Sequence, residues 1–244
     1  MINVLPLALA IYWLLEYVVR RASYPGKMEP AGFRPEWIPG GEWAIIVSPG
    51  FWLSRCLANR TRPLPKPQST SARRILITKS NLLNLVVSAL IASISLLAML
   101  STRGALAWSL IADLAALRYI SRTTEIAYAF GRDVLTPTEN KSGLDKHARL
   151  GLALRSYCEL FLLAIPVYLL CFPKYATPLK ALTLSLCVGT LTNVGYGLPE
   201  DHGFRSLLIF PQVIATLSLV LLSLASYISR PEPESAPEAE AGPK

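Results

Sequence analysis

The sequence predicts an all-α membrane protein with about five transmembrane helices, and three observations carry that expectation. The 244 residues are 52% hydrophobic and only 16% charged, with a mean hydropathy of +0.40, whereas a soluble domain carries about 25% charged residues. Several apolar segments reach or approach the roughly 20 residues that a helix needs to cross a bilayer core of about 30 Å. Lysine and arginine are also confined: Arg20 to Lys79 holds eleven of them against three acids, and Arg118 to Arg155 seven against four. This composition excludes a disordered chain, a collagen-like chain and a soluble enzyme.

The first segment, Ile2 to Val19, ends on Arg20 and Arg21, with Tyr12, Trp13 and Tyr17 near the interface. Glu16, one turn from its end, is expected to reach headgroup water. Ser80 to Leu100 carries no charge and is the clearest span; Gly104 to Ile120 is short and contains Asp113. Ser156 to Phe172 holds Glu159 and Pro166, and Ser206 to Ile228 is uncharged. Ala44 to Leu53 is too short to cross, is broken by Ser48-Pro49-Gly50, and reads as interfacial or re-entrant. Arg118 is the expected neighbour of Asp113, and Arg155 is the helical-spacing partner of Glu159.

Basic residues accumulate in cytoplasmic loops. Five spans with an external N-terminus put both basic segments, and the tail after Arg230, on the cytoplasmic side of a cell membrane. The net charge of +8 is then accounted for by topology and anionic lipid, without nucleic acid. The expected organisation is a three-span region over 1–120 with a basic loop at 20–79, a linker at 121–155, a two-span module at 156–230 and a disordered Pro/Glu/Ala tail at 231–244. In the linker, Ile126, Phe130 and Val134 recur every four positions. That spacing suits a helix on the membrane face or an amphipathic linker packed on its neighbours.

Chemistry-bearing clusters of the usual kinds are missing from the sequence. Cys56, Cys158, Cys171 and Cys187 form no C-x-x-C pair, and His147 and His202 have no partner at metal-ligand spacing. There is no nucleophile elbow or phosphate-cradling glycine loop. Neither enzyme activity nor a cofactor is expected. No span carries arginine at every third position, as a voltage sensor would.

The segment from Pro178 onward has a different texture. Thr177 is a plausible N-cap and Pro178 a good first helical residue. A helix over 178–191 is only about 20 Å long at 1.5 Å per residue. Then come Asn193, Gly195, Gly197 and Pro199, which are poor helix formers. A half-length helix leading into glycine-punctuated backbone describes a re-entrant loop. Such backbone is tolerated at membrane depth only where protein buries it or a wet cavity receives it. Glycine at alternate positions permits the sign-alternating dihedrals that aim successive carbonyls the same way, and such carbonyls can replace the hydration shell of a cation. The C-terminal end of the short helix is partially negative, which also favours a cation.

Thr190-Leu191-Thr192-Asn193-Val194-Gly195-Tyr196-Gly197 resembles the T-x-T-x-V-G-Y-G selectivity filter of the potassium-channel pore family. The resemblance covers about 75 residues, from Ser156 to Arg230, with the stretch placed between an outer and an inner helix. It implies a homotetramer in the lipid bilayer that passes K+ passively, and a filter at 192–197 entering from outside. The carbonyls of Val194, Gly195 and Tyr196 would coordinate K+, Thr192 and Asn193 would form the inner end, and Gly197 would complete the filter. Glu200, Asp201 and His202 come next, at the outer mouth. Asn193 stands where the family has threonine, and Leu198 where it has aspartate. These departures leave two alternatives open: a non-conducting scaffold or accessory subunit, and a weakly selective cation channel. An unidentified regulator of the cytoplasmic segments is a further possible partner.

Overall fold

The computed structural model describes residues 4–24, 48–60, 66–100, 105–135, 144–172, 175–194 and 204–220. Among the described residues the regular structure is entirely helical. The elements are α1 (Leu5–Ser23), α2 (Pro49–Arg60), α3 (Lys66–Leu100), α4 (Ala105–Leu135), α5 (Lys146–Cys171) and α6 (Pro178–Gly189). A 3-10 segment (Phe204–Ile209) then leads into α7 (Phe210–Leu217).

Two stretches, Gln68–Met99 in α3 and His147–Cys171 in α5, are long and apolar enough to cross a membrane. At 1.5 Å per residue α3 and α4 run about 52 and 46 Å, longer than a hydrocarbon core. The apolar spans are therefore parts of longer helices. Residues 121–135 continue α4, and residues 146–155 open α5, so most of the 121–155 connection is helix.

Local chemistry sets several boundaries. Asp145 caps α5, its carboxylate accepting from the Ala148 N–H at 2.6 Å. Ser48 caps α2 by accepting from the Phe51 N–H at 3.3 Å, and Pro49 takes the first helical position. The stretch anticipated as interfacial or re-entrant thus contributes, from Ser48 on, a 12-residue helix; residues 44–47 lie outside the described residues. Pro166 sits inside α5 without ending it. The inner helix expected over Ser206–Ile228 begins instead as the 3-10 segment and becomes α-helical at Phe210. Pro211 lies in the first turn of α7, where its missing N–H costs nothing. Residues 221–228 lie outside the described residues.

α5 is the hub, packing against α3, α4, α6 and α7. One core joins Leu163, Val167 and Tyr168 of α5 to Tyr119 of α4, Leu184 and Val188 of α6 and Ile209. A second joins Ile126 of α4, Ala153 and Leu160 of α5, and Ala215 and Leu219 at the C-terminal end of the described chain. Ile126 is buried here and Phe130 packs beside it, so that face of α4 serves the protein interior. Leu82, Val86, Leu90 and Ile94 form an exposed apolar stripe at four-residue spacing on α3.

Leu184 is fully buried in the larger core and Leu154 is 61% exposed. Leu184→Ala is expected to destabilise the protein by about 2–5 kcal/mol, and Leu154→Ala by less than about 0.5 kcal/mol, measured by thermal unfolding in detergent.

Candidate functional site

The site is built on α6. Twelve residues give it a length of about 18 Å, roughly half of what a bilayer crossing requires. Thr177 and Pro178 occupy the N-cap and first helical positions, although the Thr177 hydroxyl makes no capping bond. The helix starts beside Phe172 and Tyr175, at the end of α5, and runs back along it. Its last residue, Gly189, accepts a hydrogen bond from the Tyr157 hydroxyl at 2.9 Å. Tyr157 lies near the middle of α5, so α6 stops halfway down its neighbour.

The end of α6 is a Schellman turn. The Leu191 N–H donates to the Val188 carbonyl and the Thr192 N–H to the Cys187 carbonyl, both at 3.1 Å. Such a turn needs a left-handed residue just past the cap, normally glycine; Leu191 fills the position with φ 58°. That conformation costs an L-residue about 1–2 kcal/mol. Here the strain reverses the chain where the predicted filter begins. The helix expected to reach residue 191 therefore ends two residues earlier.

Two further features hold the last turns of α6 against α5. The Ser185 hydroxyl donates to the Phe161 carbonyl at 2.9 Å. A Cβ on Gly189 would collide with the Phe161 ring, so only glycine allows this approach. α7 then runs antiparallel to α5: Gln212 meets Tyr168 in the last turn of α5, while Ala215 and Leu219 pack against Ala153 and Leu160. The chain thus goes from the middle of α5 at Gly189 back toward the end where α6 began.

Of the predicted filter residues, Thr192 and Asn193 are exposed, and Val194 is half-buried against the main core. The Thr190 and Thr192 hydroxyls are hydrogen-bonded to each other at 2.9 Å. Gly195, Tyr196, Gly197, Glu200, Asp201 and His202 lie outside the described residues.

A second polar feature is not apparent from the sequence. Glu16 and Arg20 of α1, Arg118, Arg122 and Glu125 of α4, and Glu159 of α5 form a buried cluster of three carboxylates and three guanidiniums. Arg122 grips Glu159 with two bonds, 2.7 and 2.8 Å, and also pairs with Glu125. Arg20 donates to both Glu125 oxygens, at 2.8 and 2.7 Å, and to the Ser80 hydroxyl. Arg118 pairs with Glu16 and donates to Asn84 Oδ1 at 2.7 Å. The Ser88 hydroxyl adds a 3.4 Å bond to Glu159. Gly50 of α2 abuts the Glu16 carboxylate so closely that a Cβ would collide with it.

Three local expectations are corrected here. Glu16 does not reach headgroup water; it is fully buried. Arg118 pairs with Glu16 rather than Asp113, and Glu159 with Arg122 rather than Arg155. In each case helix packing supplies a cross-helix partner that spacing along one helix does not reveal. The signal that points to the cluster is the presence of Glu16 and Glu159 within apolar segments, where an unpaired charge is expensive and a basic partner is required, although the sequence does not say which. A cavity of about 370 Å³ lies beside the cluster, with Ser80, Asn84 and Glu125 at its polar end and Leu76, Ile126 and Leu152 among its apolar walls. Of its charged groups, Arg20, Arg122 and Glu125 are engaged with one another, and Arg55 lies over the Phe51 and Tyr128 rings. His147 is exposed, and no metal-binding group of His, Cys, Asp and Glu occurs among the described residues.

Glu159→Leu leaves three buried guanidiniums facing two carboxylates and is expected to cost about 3–5 kcal/mol, whereas Arg122→Met/Glu159→Leu removes one charge of each sign and costs less than that single change. Thermal aggregation in detergent reads the order of the two. Leu191→Gly is expected to raise the unfolding midpoint by relieving about 1 kcal/mol of backbone strain, and Leu191→Val to lower it. Comparison of the chain with protein-family models, with curated proteins and with solved structures gives no match.

Proposed function

We propose that the protein is a multi-pass membrane channel that conducts K+ passively through a pore shared by four identical subunits. The observation that carries this reading is a half-length helix ending midway along α5 and delivering its backbone, through a strained turn at Leu191, into Thr192-Asn193-Val194-Gly195-Tyr196-Gly197. Each part has a physical use. The C-terminal dipole of α6 favours a cation near its end. The alternating glycines allow a row of peptide oxygens to take over from hydration water. Neighbouring ions repel one another onward, and each site binds weakly enough to release.

In this reading α5 is the outer helix and α7 the start of the inner helix, while α1 to α4 brace the outer helix. Exposed apolar residues on α6 (Leu179, Leu182 and Leu186) and on and before α7 (Leu207, Phe210 and Ile214) offer faces to neighbouring subunits or to lipid. The basic segments face the cytoplasm by the charge argument. Glu200 and Asp201 come after the filter at the outer mouth, where their negative charges raise the local cation concentration, and His202 follows them.

Flux into liposomes reconstituted with the purified protein tests the proposal. Uptake of K+ and Rb+ well above Na+ is expected. Silence for all three ions supports the scaffold or accessory-subunit alternative, and a K+/Na+ permeability ratio near one supports a weakly selective pore, the outcome to which Asn193 points. Gly195→Ala is expected to abolish selective flux, because a side chain is disfavoured at positive φ; wild-type flux in that variant contradicts the assignment of the filter.

A further inference from the structure

One buried amide has no part in the conduction path. Gln212 is fully buried in α7, within the otherwise apolar run Phe210–Leu217 apart from Thr216. A primary amide in such surroundings is costly unless both of its ends are bonded. Gln212 meets that condition with two different helices. Its Nε2 donates to the Ser185 carbonyl of α6 at 3.0 Å, and its Oε1 accepts from the Tyr168 hydroxyl of α5 at 2.7 Å. The orientation is forced: a carbonyl only accepts, so the NH₂ must face Ser185, which leaves the oxygen for Tyr168.

The partners of this amide are already committed to the filter's support. Ser185 holds α5 through its hydroxyl and α7 through its carbonyl. One turn later is Gly189, where a Cβ would collide with the Gln212 nitrogen as well as with Phe161. Tyr157 bonds the Gly189 carbonyl from the other side. The amide therefore spans the last turns of α6, between outer and inner helices, immediately before the chain turns at Leu191. Nearby, the Tyr119 hydroxyl of α4 donates to the Leu208 carbonyl at 2.6 Å, fixing the approach to α7.

We propose that Gln212 is a selectivity-determining positioning residue: by bridging Ser185 and Tyr168 it fixes the depth and rotation of α6, and through α6 the carbonyls that begin at Thr192. The inference rests on the channel reading above. Gln212 touches no ion and acts through the helix that presents the filter. Because it belongs to α7, it also ties the inner helix to the filter, so α7 cannot shift without pulling on Ser185. Conduction alone requires only an open path. Discrimination between K+ and Na+ requires the oxygens to keep their number and spacing, and that is the property this bridge controls.

The test is the K+/Na+ permeability ratio, from reversal potentials of the reconstituted full chain, together with its oligomeric state by size exclusion. Gln212→Met keeps the approximate volume and removes both bonds. It is expected to assemble like the wild type and to lose selectivity by about tenfold, the scale of one to two buried hydrogen bonds. Tyr168→Phe removes one bond and is expected to give a smaller loss in the same direction. Gln212→Met/Tyr168→Phe is expected to be no worse than Gln212→Met, since the two act through one bridge. A lowered unfolding midpoint with an unchanged ratio in Gln212→Met marks a structural role only and overturns the proposal. If Gln212→Met fails to assemble, Tyr168→Phe decides, and an unchanged ratio there overturns it equally. A wild-type protein without K+ selectivity refutes the potassium-selective reading, and this inference with it, before any variant is compared.

Discussion

A backbone that stops being helical among buried apolar neighbours must hand every freed N–H and C=O to a partner, and this requirement governs the end of α6. Each unmet group in hydrocarbon costs several kcal/mol, by order of magnitude. The protein meets the demand with a Schellman turn for the Cys187 and Val188 carbonyls, a tyrosine hydroxyl for Gly189 and the Thr190 hydroxyl for Leu186. Accepting a strained Leu191 is the concession that lets the chain reverse within two residues. Beyond this turn the peptide groups can be offered to a ligand instead of to the protein.

The same logic of enforced pairing holds the rest together. Charges buried between α1, α4 and α5 are tolerable because three guanidiniums meet three carboxylates, and hydroxyl and amide groups of α3 add bonds to Arg20, Arg118 and Glu159. A cluster of this kind contributes little net stability against a hydrophobic alternative, but breaking any one pair is severe. Its effect is registry: α5 sits at a fixed height relative to α1, α3 and α4. Since α5 also carries Tyr157, Phe161 and Tyr168, that registry is passed directly to α6 and α7. The N-terminal helices thereby acquire a physical task as a brace for the helix against which α6 is set.

Much of this was legible in the sequence, for identifiable reasons. Pro178 marked the start of α6, and the lack of helix formers after Leu191 marked its end to within two residues. The discrepancy comes from Leu191 itself, which occupies a position where glycine would have announced the turn. Hydropathy located the apolar parts of α3, α4 and α5 but not their polar continuations, because Arg122 and Glu125 read as a connection although they lie on an unbroken helix. The four-residue recurrence of Ile126 and Phe130 was the trace of that helix. Pairings such as Arg122 with Glu159 and Gln212 with Ser185 were not legible, since they depend on which helices become neighbours. Gln212 in particular looks like an isolated polar residue in an apolar run until Tyr168 and Ser185 are placed beside it.

In the proposed pore, peptide oxygens from residues 192–197 of several chains surround a cation on a common axis. Anomalous diffraction from crystals of the full chain grown with Rb+ or Tl+ would locate that cation. A file of anomalous peaks along a fourfold axis, flanked by the carbonyls of Val194, Gly195 and Tyr196, is the predicted result. A crystal whose 192–197 segment continues α6 as helix, or whose ordered subunits share an axis that carries no ion, contradicts it.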